Sequence, residues 1–504
     1  MMTPAGAACP HAGLDVGPGA GSSAEPGGGR GGSRALVRTR VLASSRSPSR
    51  SPAPMRPNDR NASLTTTEPG TAGGALMRRY WQPAALSDEL DPARPVVPVR
   101  LMGEDLVLFR TGDGTLGLMQ RACPHRGVDL CRGRLEADGL RCAFHGWKFG
   151  ADGACTEQPG EPEGSTLHRR VRTTSYPVVE SNGVVFAWLG ELADGEAPPP
   201  LPALDCLDAP ASHVFAFKGL WACNWLQALE IGIDPVHASF LHRFLEDEDV
   251  EASYGRQFRD AAADTEIPMT RLLREFPRPE IRVEPTALGQ RLIATRRLGD
   301  GRAHERVTHQ VFPNAICIPM SREMNITQWH VPVDDRRCYW YSMFTSYGAP
   351  VDHGTMRAQR LAEHRLPDYA PLKHAGNDYG FDPEEQRTAT YTGMGADINV
   401  HDQWAVESMG AIQDRTREQL GTTDVAIIAN RRTLREGLRA LDEGRDPALP
   451  GDPRHVSRAD DGEGVEAPRD PPGPPSIDAI GREGEPDVAW RAADAARRDA
   501  CAWL

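Results

Sequence analysis

Long apolar runs are missing from this sequence. None approaches the ~20 residues a membrane-spanning helix needs, so the expectation is a soluble chain with no membrane partner. A basic excess is missing as well: 57 Lys and Arg face 70 Asp and Glu, a formal net charge of −13. Nucleic acid is therefore not an expected partner, because its binders carry a basic face or domain. No Gly-x-Gly-x-x-Gly opens a helix after a strand, so a dinucleotide fold is not expected here either. Cysteine is sparse for the length, ten in 504 residues. Eight of them (Cys9, Cys131, Cys155, Cys206, Cys223, Cys317, Cys338, Cys501) follow no repeating spacing, which excludes a disulfide framework and fits a reducing cytoplasm. Acids are scarce at the start, where Asp15 and Glu25 alone precede Asp59. Residues 1–58 are Gly-, Pro-, Ser- and Arg-rich, too poor in apolar side chains to offset their ordering entropy. Prolines and the run Gly27–Gly29 spoil the amphipathic helix of a transit peptide, leaving a disordered tail or a mis-assigned start ahead of Met55.

What the chain does have is a pair of matched half-motifs. Cys123-Pro-His125-Arg-Gly127 is answered by Cys142-Ala-Phe-His145-Gly146-Trp147, with sixteen residues between His125 and Cys142. Each half offers one thiolate and one imidazole from a tight turn, the donor inventory of a [2Fe–2S] cluster held by two Cys and two His. Zinc is the rival for such a set, but zinc halves usually pair Cys with Cys and His with His, whereas these mix the two. The halves therefore resemble the loops of a Rieske cluster. Farther on, Asp234-Pro-Val-His237-Ala-Ser-Phe-Leu-His242 holds two His and a carboxylate, the donor types that hold non-haem Fe(II) on one face. Asp234 and His237 stand one helical turn apart. His237 and His242, five apart, are about 140° around a regular helix, so both meet one metal only if the helix ends or bulges near Phe240-Leu241.

Together these motifs resemble the catalytic (alpha) subunit of a Rieske non-haem iron aromatic-ring oxygenase, phthalate dioxygenase-like branch, from about Asn61 to Arg445. The resemblance implies that Cys123, His125, Cys142 and His145 hold the cluster and that His237 and His242 hold iron. Asp234 matches the acid that carries electron flow between neighbouring subunits. The third iron ligand matches Asp402 in Asn399-Val-His-Asp-Gln-Trp-Ala-Val-Glu-Ser-Met-Gly410, with Asp397 and Glu407 as rivals. His401 stands where the branch often has Gln or Glu, and Met409 where Gln is common; His401 reads as a neighbour of the ligands or an exposed residue.

The implied fold is α+β: a small all-β Rieske [2Fe–2S] domain, then a catalytic domain with a large antiparallel sheet and flanking helices. The expected boundaries are 1–58 tail, 59–89 a segment packing on the core with a short helix over Leu76–Trp81, and 90–198 the cluster domain. The catalytic iron domain follows at 199–445, then a second disordered tail at 446–504 with a short helix at 488–498. His304, His309 and His330 are expected as strand or core histidines.

The implied activity is O2-dependent hydroxylation of an aromatic, carboxylated substrate. Electrons would come from a separate NAD(P)H-dependent flavin/iron–sulfur reductase, and the assembly would be a homotrimer or a multiple of it. O-demethylation of an aryl ether is the alternative, and a simple electron carrier the second. A carrier needs no mononuclear iron. The respiratory cluster proteins carry an extra cysteine in each loop, where this chain has Val128 and Ala143.

Overall fold

The computed structural model describes residues 57–93, 95–193, 195–247, 267–447 and 473–504. The expected N-terminal tail, and the question of a start at Met55, lie outside the described residues apart from Pro57 and Asn58, which open the helix Pro57–Thr65. The next helix runs Ala72–Met77 rather than Leu76–Trp81, with Thr71 as its cap: the threonine hydroxyl accepts from Gly74 N–H at 3.0 Å. The helix thus includes Gly73 and Gly74. A Cβ on Gly73 would sit 2.3 Å from the Thr66 carbonyl, and one on Gly74 2.5 Å from that of Glu68, so close packing of helix on backbone demands both glycines.

Three small sheets build the first half. Val96–Leu101, Glu104–Arg110 and Leu116–Gln120 pair antiparallel, as the glycine-split β-rich runs predict, and Ser175–Tyr176 adds an edge. Arg134–Glu136, Gly139–Arg141, Lys148–Phe149 and Cys155–Glu157 form a second sheet of short strands. The cluster loops emerge on either side of its first hairpin, so both are anchored in one small apolar core with Leu130, Leu140, Trp147 and Phe149. Asp152-Gly153 turns the hairpin between the last two strands of that sheet, with Gly153 at φ +79°. A third sheet pairs Gln82–Leu86 and Val178–Ser181 with Val184–Ala187.

The second half is one antiparallel sheet, in the order Val214–Trp221, Arg337–Ser346, Met324–Asp334, Ala315–Pro319, Arg302–Val311, Gly289–Arg297, Glu280–Thr286. The helix Trp225–Gly232, capped by the Asn224 side chain on Leu226 N–H, lies across its middle. It comes so close that a Cβ on Gly232 would meet Ile316 Cδ1 at 2.3 Å. This helix delivers the chain to Asp234 at the sheet face.

The C-terminal tail expectation is corrected within the described residues. Ile477–Arg482 pairs antiparallel with Arg302–Val307, and Val488–Ala500 forms a helix over it. Ile477, Ala479 and Trp490 bury themselves against Ile293 and Val307. Proline and charge hid this segment. Its arginines are paired rather than solvated: Arg497 with Asp494, and Arg498 with Asp494 and Asp205. No helix among the described residues is long and apolar enough to cross a membrane.

Candidate active site: two metal-binding constellations

The two cluster loops repeat one turn. Gly127 N–H donates to the Cys123 carbonyl at 2.7 Å and Cys123 N–H to that of Val128 at 2.8 Å. In the second loop, Gly146 N–H donates to Cys142 at 3.0 Å and Cys142 N–H to Trp147 at 2.8 Å. Both glycines take positive φ, +78° and +74°, the left-handed conformation that reverses the chain there. The result is directional. Both cysteines are buried, while His125 and His145 stand exposed with ring centroids 4.5 Å apart. His125 stacks flat on Trp147 at 4.2 Å, which fixes its plane. Burial, with the Cys142 thiol alongside, pushes the Cys123 thiol up to about 11. A buried thiol with a second thiol against it, as at Cys123, resists ionising unless a cation joins it, so the donor set fits a metal cluster.

The second constellation forms where the helix of the Asp234 region breaks. His237–Ser239 is a single 3₁₀ turn, and Phe240 at φ −121° leaves the helical region, so the stop near Phe240-Leu241 that the five-residue spacing demands is present. His237 Nε2 and His242 Nε2 come within 3.2 Å of each other, and Asp402 Oδ1 lies 3.7 and 3.2 Å from them. Asp402 reaches in from the helix Ile398–Ser408, capped by Asp397. The three ligand atoms all lie within 4.8 Å of one another, close enough to hold one metal ion.

Proton placement shows what they fit. His237 Nδ1–H donates to the Asp234 main-chain carbonyl, leaving Nε2 a bare lone pair. Asp402 Oδ1 is buried without a hydrogen-bond donor. The bare His237 nitrogen and the Asp402 oxygen therefore converge, an arrangement costly when empty and suited to a cation. Burial lowers the His237 pKa, helped by His242 beside it. Burial would raise the Asp402 carboxyl, but His242 and His237 hold it below the usual carboxylate range.

The rivals are engaged elsewhere. Asp397 takes Asn399 N–H at 3.0 Å and pairs with Arg360, both side chains buried. Glu407 accepts from Ala222 N–H, Gln403 and Tyr379. The Asp234 carboxylate accepts from Val236 N–H at 2.9 Å, and its main-chain carbonyl, not its carboxylate, takes the His237 ring proton. The turn points the side chain forward onto amides and the carbonyl back at the ring. His401 is fully buried against His242, and its pKa is lowered to about 4, chiefly by burial. His304, His309 and His330 are buried on the sheet, as expected of core histidines.

Sequence reasoning missed Arg296, a buried guanidinium that reaches the Pro235 carbonyl at 3.3 Å and Ser239 Oγ at 3.5 Å, pinning the His237 turn to the sheet. An arginine inside a strand carries no sequence signal of that role. A cavity of about 700 Å³ opens beside the centre, lined by Asp234, His237, Phe240, Tyr391, Trp404 and Met409 among others.

Residues 80–177 match the Rieske [2Fe-2S] domain and residues 192–460 the LigXa C-terminal domain like family. The chain is 34% identical to the phthalate 4,5-dioxygenase oxygenase subunit of Pseudomonas putida, over 79% of this chain and 90% of that one. It is 33% identical to the 3-chlorobenzoate-3,4-dioxygenase oxygenase subunit of Comamonas testosteroni, over 75% and 88%. It is 31% identical to the 5,5'-dehydrodivanillate O-demethylase oxygenase subunit of a Sphingobium species, over 77% and 82%. The chain belongs to the phthalate dioxygenase-like Rieske oxygenases, as a catalytic subunit of the family that carries a [2Fe–2S] cluster and a mononuclear iron.

Proposed function

We propose that this subunit hydroxylates a carboxylated aromatic compound with O2. On this reading Cys123, His125, Cys142 and His145 hold the cluster, and His237, His242 and Asp402 hold the iron. The single observation that carries the iron assignment is the convergence of two imidazole nitrogens on an Asp402 oxygen that has no proton donor. When bound, the two groups supply one-electron relay from a separate NAD(P)H-dependent flavin/iron–sulfur reductase and activation of O2, chemistry that side chains lack.

The chain's own residues supply orientation and shelter. The Asp234 carbonyl holds the His237 ring in one tautomer. Arg296 ties that turn to the sheet, and Trp147 holds His125 in plane. Support for the substrate class comes from the relatives, whose names specify phthalate, 3-chlorobenzoate and, at 32% identity over 78% of this chain, phenoxybenzoate. A second reading, O-demethylation of an aryl ether, is favoured by the dehydrodivanillate relative.

A homotrimer, or a multiple of one, belongs to the same proposal. None of the four cluster residues lines the cavity at Asp234. The exposed rings of His125, His145 and Phe144, with the Arg126 guanidinium 5.5 Å over Phe144, form an aromatic, basic face. The Asp234 cavity is acidic and aromatic, with Asp234, Asp378 and Trp404 on its walls. The faces are complementary, so the cluster face of one copy suits the cavity of the next. The test is a screen of aromatic acids and aryl ethers with iron-replete protein and a surrogate reductase, reading O2 uptake against product mass. A cis-diol adds about 34 mass units, hydroxylation about 16, and O-demethylation removes about 14. Metal-replete protein that consumes no O2 with any of them would overturn the proposal.

A further inference from the structure

We infer that His401 is a positioning residue that assigns the proton of His242 and so holds that ring's Nε2 lone pair on the metal position. The inference rests on the iron-site reading above and goes beyond it, because His401 itself touches no metal position. Its ring is fully buried, in the first turn of the helix that carries Asp402. Consecutive helical residues point about 100° apart, so Asp402 faces the centre while His401 stands beside His242. The His401 and His242 rings lie 5.6 Å apart, inclined by 24°.

The proton can be placed by elimination. His401 Nε2 lies 2.9 Å from the Gly395 carbonyl, which only accepts, so the N–H of a neutral His401 sits on Nε2. Nδ1 is then a lone pair. It lies 3.4 Å from His242 Nδ1, a long hydrogen bond whose only available proton is that of His242. With Nδ1 protonated, His242 Nε2 is bare, and it faces Asp402 Oδ1 and His237 Nε2, each at 3.2 Å. The far end of the relay is itself held. Gly395 N–H donates to Glu385 at 2.8 Å, and Lys373 Nζ donates to the neighbouring Met394 carbonyl at 3.1 Å.

The two histidines thus reach the same tautomer by different routes. His237 uses a main-chain carbonyl, which no substitution removes, whereas His242 depends on a side chain. Outer partners of this kind typically govern metal affinity by about 10–100-fold.

The test compares His401→Gln, which keeps one acceptor and one donor, with His401→Leu, which fills the space and has neither. Fe(II) dissociation constants are measured by chelator competition, with the EPR line shape of the nitric oxide adduct as a second readout. The visible cluster spectrum and the melting temperature report folding. The expected result is about 10–100-fold weaker Fe(II) binding and an altered line shape in His401→Leu. In His401→Gln both should stay near the parent, within about threefold. Should the leucine variant fail to fold, His401→Ser, polar but too short to bridge, replaces it under the same thresholds. Parent-like affinity in the leucine or serine variant overturns the inference, as does a glutamine variant no better than leucine. His237→Ala is measured in parallel: if it keeps its iron, the iron-site reading itself has failed and the inference falls with it. If it releases iron while His401→Leu does not, the relay alone is wrong.

Discussion

Trp490→Ala tests whether the C-terminal segment is part of the catalytic domain. Trp490 is 2% exposed and closes a small core with Ile293, Val307, Ile477 and Ala479. Its indole N–H donates to Asp487 at 3.0 Å, and the Arg491 and Arg291 guanidinia lie 4.4 and 5.3 Å from the ring. The helix fits against its strand only because residue 481 is glycine: a Cβ there would approach Ala489 Cβ to 2.5 Å. Truncating a buried tryptophan typically costs about 3–5 kcal/mol, from lost transfer energy and the cavity left behind. Val488, on the same helix but 57% exposed, supplies the control, since Val488→Ala should fall within about 0.5 kcal/mol of the parent. Urea unfolding followed by far-UV circular dichroism reads the difference, while the visible cluster spectrum reports the other domain. The effect extends toward the iron. The strand places Asp478 2.7 Å from Arg306 and 3.2 Å from His304, on the sheet edge whose next strand carries Arg296. Equal stability of Trp490→Ala and Val488→Ala would refute the docked segment and restore the disordered tail.

Four further outcomes are expected. Purified protein should hold about three irons and two acid-labile sulfides per chain, by elemental and sulfide analysis; zinc without sulfide would sink the cluster reading. His237→Ala should lose the mononuclear iron and keep the visible cluster spectrum, and Cys142→Ala should do the reverse; bleaching of the cluster in His237→Ala would contradict two separate sites. Burial lowers both His309 and His330 to about 3, below the roughly 6.5 of an unfolded histidine, so their contribution is whole above pH 6.5 and is lost as pH falls toward 3. Each should cost about 1.4 kcal/mol of stability between pH 7.5 and 5.5, so the stability–pH curve of His309→Gln should be flatter by that amount, and parallel curves would refute the assignment. Asp234→Asn keeps an oxygen for Val236 N–H, so both metals should stay bound while single-turnover oxidation of the pre-reduced cluster slows severely; an unchanged rate would leave Asp234 only its turn-forming part.

Much of the site was legible because metal chemistry restricts residue types and their spacing together. The four cluster donors sit within two loops of five or six residues, so short-range pattern carries them. The five-residue gap from His237 to His242 even announced the broken helix, since a regular one would separate them. Asp402 was harder. Asp397, Asp402 and Glu407 lie along one stretch of helix and its cap, and no spacing rule ranks them when the partner histidines are some 160 positions away. Three-dimensional company favours Asp402. Asp397 is used up by its cap and Arg360, and Glu407 by three donors, leaving Asp402 the acid with an oxygen that nothing protonates.

The misreadings share one cause. The helix placed at Leu76–Trp81, past Gly73-Gly74, and the Pro-, Gly- and acid-rich C-terminal segment were judged by composition, which measures how a residue behaves in water. The glycines are required because a backbone passes 2.3 Å from where a Cβ would stand, and the arginines at 497 and 498 are affordable because Asp494 and Asp205 meet them. His401 is a different case, readable as a neighbour of the ligands but not as a relay. As a lone histidine on a helix it has no signature, and it gains meaning only from a carbonyl on one side and an imidazole on the other. Local pattern reports what a residue can donate or accept; whether it is a ligand, a relay or filling depends on the partners the fold places at each ring nitrogen. That is why the metal donors were readable from the chain, and the groups that assign their protons were not.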